Sequence, residues 1–248
     1  MTAHHIDEVI RNLEHIIAIT RREGNRLGYF PALYRKVTLE VAKGIQQGRF
    51  DDGERMERLD VIFANRYLDA IEAHQRGGVP ARCWRIAFDA AHDWWPIVLQ
   101  HLLLGINAHI NLDLGIAAAT TCPDSSLPAL KEDFDRINEI LASLVDGVKG
   151  DLTAVWPMLS LLDRVSGSID DAVINFSMAK ARNSAWNVAQ TLAAKPASQW
   201  PALISQLDDR VAFLARRVRH PGWLQGTVLR AIRIGERGSV SEVIDLLC

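Results

Sequence analysis

The residues of this chain that are suited to chemistry are concentrated in one apolar stretch, residues 100–115. Among its leucine, isoleucine and alanine side chains, this stretch carries the polar residues Gln100, His101, Asn107, His109, Asn111 and Asp113. Buried polar groups need hydrogen-bond partners, and a buried carboxylate needs a strong one. We therefore expect an internal site that holds a metal ion, a substrate or a closed hydrogen-bond network.

The spacing of His109 and Asp113 places both side chains on one face of a helix. Four residues correspond to about one turn and a rise of about 6 Å, so the imidazole and the carboxylate can bind one metal ion. His101 lies about 12 Å before His109 along a straight helix. It can share that ion if the helix kinks near Gly105; otherwise it serves a different centre or the substrate. We expect Gly105 to leave open space between the two histidines.

Other helices must complete such a site, because a catalytic metal needs three protein ligands and an open position. Asp60 and Asp69 are candidates for the missing ligand, and Arg66 can neutralise or position an anionic substrate. Further candidates are Asn65, Asp89, His92 and Asp163. The predicted metal ligands are His109, Asp113, His101 and Asp60, and the predicted catalytic residues are His101, Arg66 and Asp69.

The hydrophobic pattern is helical almost throughout the chain. Pro31 suits the first turn of a helix that Gly48 can end, and Asp51 or Asp52 can cap the next helix. The helix that starts at Pro96 is apolar on nearly all faces, so we expect other helices to surround it.

These patterns predict an all-α protein. We expect a single helical domain, residues 1–248, built as a multi-helix bundle of roughly nine to eleven helices around a buried central helix. The length of 248 residues and the hydrophobic content of 48% are typical of a globular protein with a sizeable core.

Charge and cysteine content narrow the function classes. The formal net charge of −2 argues against nucleic acid as a partner. The three cysteines are widely spaced and odd in number, which indicates a reducing compartment and a cytoplasmic location. The N-terminus lacks the features of a secretory signal, and polar residues interrupt the longest apolar run, so we expect no transmembrane segment.

The C-terminal third is basic. From Arg210 to Arg237 there are seven arginines and one acid, Glu236, which gives 7 − 1 = +6. Such asymmetry is typical of an anion-binding face, or of a solvated face whose charges pair with acids elsewhere. Trp200 and Trp223 suit either a membrane interface or the core.

Aromatic residues also cluster early in the chain, at Tyr29, Phe30 and Tyr34. Aromatic side chains carry large apolar surfaces that fill cores and line pockets. We expect these three to pack in the core, with the wall of an apolar pocket as the alternative.

Three runs, residues 55–61, 63–68 and 99–119, resemble an uncharacterised bacterial all-helical family, a domain of unknown function, and this resemblance covers most of the chain. It implies no particular activity. Locally, His109 and Asp113 resemble the His-x-x-x-Asp element of the zinc-dependent phospholipase C and P1 nuclease superfamily, which implies zinc at these two residues. The later histidine cluster of that superfamily, with its His-x-x-x-Glu, is lacking here.

The leading interpretation is a metal-dependent hydrolase in which a zinc-bound water attacks a small-molecule substrate. Two histidines and a carboxylate are also the ligands of non-haem iron, so an iron-dependent oxygenase or a cyclase acting on an apolar metabolite is the first alternative. The second alternative is a non-catalytic helical protein that binds an apolar or anionic ligand, in which the polar residues tie the helices together.

Overall fold

In the computed structural model, which describes residues 1–138, 140 and 178–248, the protein is an all-α multi-helix bundle. Residues 131–138 are helical, and the π-helical segment His109–Leu114 joins α5 and α6 into one continuous rod. The α-helices with described bounds are α1 (Ile6–Glu23), α2 (Tyr29–Gln46), α3 (Gly53–Gln75), α4 (Arg82–Asp89), α5 (Val98–Ala108), α6 (Gly115–Thr121), α7 (Met178–Ala193), α8 (Trp200–Arg219), α9 (Trp223–Gly235) and α10 (Val240–Leu247).

Helix ends fall where the local chemistry demands them. Pro31 lies in the first turn of α2, where a missing N–H costs nothing. Gly48 follows that helix with a φ of 65°, a conformation that glycine adopts without strain. Asp52 caps α3, because its carboxylate accepts a hydrogen bond from the Arg55 backbone N–H at 2.9 Å. The predicted roles of Pro31, Gly48 and Asp52 are confirmed.

The central helix is the rod Val98–Thr121, formed by α5, the π-helical segment and α6. Of the described residues, this is the one helix long and apolar enough to cross a membrane by length and composition, yet 89% of its most apolar 18-residue window is buried inside the protein. Helices α2, α4 and α8 pack against α5, and α3 and α7 pack against α6. A buried central helix surrounded by others was expected, and it is confirmed.

Some of the polar residues on the central helix tie it to α8. The Asn107 side-chain amide donates to the Val211 carbonyl at 3.1 Å, and the Gln100 amide donates to the Val218 carbonyl at 2.7 Å. The Asn111 amide donates to the Asn107 side-chain oxygen at 2.9 Å. These residues therefore have a structural role.

The approach of α2 to α5 is close. A Cβ at Gly105 would lie 2.4 Å from Cδ2 of Phe30, so the Phe30 ring packs directly on this glycine. The expectation of open space between the two histidines is wrong, because an aromatic side chain from another helix fills it.

Candidate functional site

The segment His109–Leu114 is π-helical, so its backbone bonds follow the wider i→i+5 pattern. Such segments are rare and occur frequently at functional sites. His109 and Asp113 lie within it, with 3.5 Å between Nδ1 of the imidazole and Oδ2 of the carboxylate. The structure thus brings these two predicted site residues together in the least regular part of the central helix.

The Asp113 carboxylate is buried and held from two sides. Nε of Arg66 donates to Oδ1 at 2.8 Å, and Nε1 of Trp84 donates to Oδ2 at 2.8 Å. Arg66 comes from α3 with 30% of its side chain exposed, whereas Asp113 is 1% exposed. A cation and an indole N–H therefore compensate the buried charge and fix its position.

The His109 ring lies among aromatic rings. It stacks on Phe63 at a centroid distance of 3.5 Å and an interplanar angle of 10°. The rings of Tyr34 and Phe30 meet it edge-on, at 4.5 Å and 5.6 Å. Burial lowers the pKa of His109, although the neighbouring Asp113 opposes this shift. The imidazole is consequently neutral at physiological pH, with one nitrogen as donor and the other as acceptor.

Several buried polar atoms around His109 have no hydrogen-bond partner among the described residues. They include both ring nitrogens of His109 and the hydroxyl oxygens of Tyr34 and Tyr67. Oδ2 of Asp60, whose charge acts on Tyr34, is also buried without a partner. The Tyr67 ring lies 6.3 Å from the His109 ring. Native proteins pair buried polar groups with protein, water or ligand. A cluster of such atoms against aromatic rings is therefore typical of a site for a small molecule that has an apolar body and a polar group.

Asp60 adds a second titratable group on the α3 side. Burial raises its pKa to about 7, and the neighbouring Glu57 contributes to the shift. Burial likewise raises the pKa of Tyr34, and the Asp60 charge raises it further. Asp60 therefore exchanges a proton near neutral pH and belongs to the surroundings of Tyr34.

His101 lies in a different environment. Its ring meets Tyr29 edge-on at 5.6 Å, and burial together with the charges of Arg26 and Arg233 lowers its pKa to about 3. His101 does not lie beside His109, because α5 is a regular helix and the two residues are eight positions apart along it.

The remaining candidates from the sequence lie elsewhere. Asp69 and His92 are exposed, and Asp89 is half-buried. Asn65 holds the N-terminal segment through hydrogen bonds of 2.8 Å to the backbone of Ala3. Asp163 lies outside the described residues.

Of the four predicted metal ligands, His109 and Asp113 are the two that the structure brings together. Within residues 1–138, 140 and 178–248, no group of three His, Cys, Asp or Glu side chains could hold a metal ion. Arg66 already supplies a positive charge to Asp113 at hydrogen-bond distance. The described side chains are therefore a poor match for a metal centre, and zinc or iron binding stays a prediction.

Sequence reasoning missed Trp84 as a partner of the site. A tryptophan in an amphipathic helix needs an acceptor for its indole N–H, and the buried Asp113 needs donors. The match between one donor and one acceptor was the signal in the sequence that could have paired Trp84 with Asp113. Arg66 was identified by its charge. Tyr29, Phe30 and Tyr34 are buried in the hydrophobic core, so the expectation of core packing is confirmed.

The fold and the site define an all-α protein with a buried histidine–aspartate pair in a π-helical segment. The chain belongs to the family of unknown function DUF5995, whose sequence profile matches residues 6–221. This match confirms the resemblance to an uncharacterised helical family and spans every residue of the site. No curated protein and no solved structure matches the chain, so the resemblance to the phospholipase C and P1 nuclease superfamily gains no support.

Proposed function

We propose that this protein binds a small, largely apolar molecule beside His109 and uses the His109–Asp113 pair for general acid–base catalysis. One observation carries the proposal: Nδ1 of a buried imidazole lies 3.5 Å from a fixed carboxylate, and its Nε2 has no hydrogen-bond partner among the described residues. An oriented, neutral histidine is the commonest proton-transfer group in enzymes.

The roles of the two residues follow from their surroundings. Asp113, held by Arg66 and Trp84, faces Nδ1 of His109 and favours the tautomer that is protonated there. Nε2 is then the acceptor for a proton from a water molecule or a substrate hydroxyl. Asp113 also stabilises the imidazolium that results, as a buried carboxylate does beside a catalytic histidine. A pKa lowered by burial keeps His109 in its basic form before the reaction.

The side chains around His109 indicate the class of substrate. The rings of Phe30, Phe63 and Tyr34 favour an apolar body. The hydroxyls of Tyr34 and Tyr67 offer hydrogen bonds to a polar group. Arg66, which is partly exposed, brings positive charge to the same place and favours an acidic group on that molecule.

Two measurements test this proposal. The first is turnover of p-nitrophenyl esters of short and medium-length carboxylic acids, and the second is binding of the free acids in thermal-shift assays. We expect the purified 248-residue chain to hydrolyse at least one ester. His109→Gln should lower the rate by about 10²–10⁴-fold. His101→Gln is the matched control, because it replaces a buried histidine of the same helix, and its rate should stay at the wild-type value. Unchanged turnover in His109→Gln, or neither binding nor turnover in the wild type, would contradict the proposal.

A metal-dependent hydrolase is the second candidate, favoured by a buried imidazole whose Nδ1 lies 3.5 Å from the Asp113 carboxylate. Elemental analysis by mass spectrometry of untagged protein and of His109→Ala tests it. Near-stoichiometric zinc that is lost in the variant supports the metal hydrolase, and iron supports the oxygenase. A metal-free protein whose stability is insensitive to chelator supports the acid–base proposal or, without turnover, a binding protein.

A further inference from the structure

Three tryptophan side chains are unusually exposed. Trp94 and Trp95 are 50% and 53% exposed in the segment before the central helix, and Trp223 is 84% exposed at the start of α9. Large apolar groups exposed together on a protein surface mark interaction sites. None of the three contributes to the site around His109.

Trp94 and Trp95 contact α9, the helix at whose start Trp223 lies. The Arg230 guanidinium lies over the Trp95 ring at 5.5 Å. Arg233 lies over the Trp94 ring at 4.7 Å and donates to its carbonyl at 2.6 Å, which fixes the segment against α9.

Helix α9 carries exposed residues along one of its faces. Trp223, Arg230 and Ile234 are spaced by seven and four residues, which places them on one face of an α-helix. Ile234 is 73% exposed, whereas Leu229 and Ile232 on the other side of the helix are buried. We name the set Trp94, Trp95, Trp223, Arg230 and Ile234 the Trp–Arg surface.

Residues 210–237, which contain α9 and the second half of α8, are basic. The segment that contains α9 carries +6 in a chain with a net charge of −2. Arg219 pairs with Asp93 and Arg233 pairs with Glu236. The other arginines of the segment are exposed: Arg210, Arg216, Arg217, Arg230 and Arg237.

We propose that the Trp–Arg surface attaches this protein to anionic lipid bilayers. Tryptophan rings prefer the headgroup level of a membrane, and a neighbouring aliphatic side chain such as Ile234 can enter the acyl region. Arginines add attraction to lipid phosphates. A second copy of this chain is a poorer occupant, because a symmetric contact would bring two arginine-rich faces together.

Vesicle co-sedimentation of the 248-residue chain tests this proposal. We expect binding to phosphatidylcholine vesicles that contain phosphatidylglycerol, weaker binding to pure phosphatidylcholine, and release by high NaCl. Arg230→Gln should weaken binding by about fivefold, and Trp223→Ser should weaken it by about tenfold through lost apolar contact. Val79→Ser is the matched control, because Val79 is 81% exposed on the loop before α4 and should leave binding unchanged.

Several outcomes would overturn the proposal. These are no binding to either vesicle, equal binding to both, or equal binding of the variants and the wild type. A concentration-dependent dimer that Trp223→Ser abolishes would identify a second copy as the occupant. Because the substituted residues are exposed, circular dichroism spectra and melting temperatures should match the wild type, which separates lost binding from lost folding.

Discussion

The two buried histidines of the central helix lie in different electrostatic environments. His101 lies in the regular α-helical part, where the charges of Arg26 and Arg233 reinforce the effect of burial on its pKa. His109 lies in the π-helical part, where the carboxylate of Asp113 opposes that effect. Burial lowers the pKa of both imidazoles. At His101 the arginine charges lower the pKa by more than the Pro96 backbone and Asp93 raise it, whereas at His109 the largest neighbouring effect is the stabilisation of the protonated ring by Asp113. Proton transfer therefore requires a suitable neighbour as well as burial.

The largest expected effect lies on the His109 side. Asp113→Ala removes the acceptor of both Arg66 Nε and Trp84 Nε1. Because it leaves a partly buried cation and a buried N–H unpaired, we expect the free energy of unfolding to fall by about 3 kcal/mol. Urea denaturation measures this change. Gln100→Ala is the control near His101. It removes one bond to α8 and the bond that Gln100 accepts from the Ile97 backbone N–H, so it should cost about 2 kcal/mol. Equal losses in the two variants would show that Asp113 is no better anchored than an ordinary helix contact.

The second effect is a pH dependence that belongs to His101. Its pKa is about 3 in the folded chain and near 6.5 when unperturbed. The unfolded chain therefore binds a proton first, and this histidine contributes stability that is present above pH 6.5 and is lost as the pH falls toward 3. We expect His101→Gln to remove about 1.4 kcal/mol per pH unit from the slope of unfolding free energy between about pH 6 and pH 4. Urea titrations at several pH values measure the slope, and an identical slope in both proteins would refute the assignment.

The third prediction concerns the contact between Gly105 and Phe30, which lies between the two histidines. Gly105→Ala would place a methyl group against the Phe30 ring, which also contacts His109. We expect a loss of about 1–2 kcal/mol in unfolding free energy from overpacking. Gly226→Ala, in α9, is the control. A methyl group there would meet no atom closer than the Pro221 carbonyl oxygen at 3.7 Å, so the substitution should stabilise the helix by about 1 kcal/mol. Thermal melts of the two variants should shift in opposite directions.

The sequence predicts much of the fold because helix periodicity and caps are local. The helix expected from Pro96 begins at Val98, and the one expected after Asp52 begins at Gly53. A buried central helix follows from its apolar residues on nearly all faces. These properties depend on neighbouring residues along the chain, which a single sequence displays directly.

The site was only partly predictable because it depends on contacts between helices. Spacing placed His109 and Asp113 on one face, but it does not tell which helix lies opposite. Arg66 was identified by its charge, whereas Trp84 was missed and Phe30 fills the space expected at Gly105. The π-helical bonding of residues 109–114 has no reliable pattern in the residue types.

The π-helical segment changes the phase of the central helix. An i→i+5 bond spans one residue more than an α-helical bond does, and one residue corresponds to about 100° of rotation. The faces of α6 are therefore turned relative to those that α5 would have continued. This rotation matches the packing, because α5 contacts α2, α4 and α8 while α6 contacts α3 and α7. The central helix thereby packs against one set of helices along α5 and against another along α6. The His109–Asp113 pair lies at the boundary between these two sets.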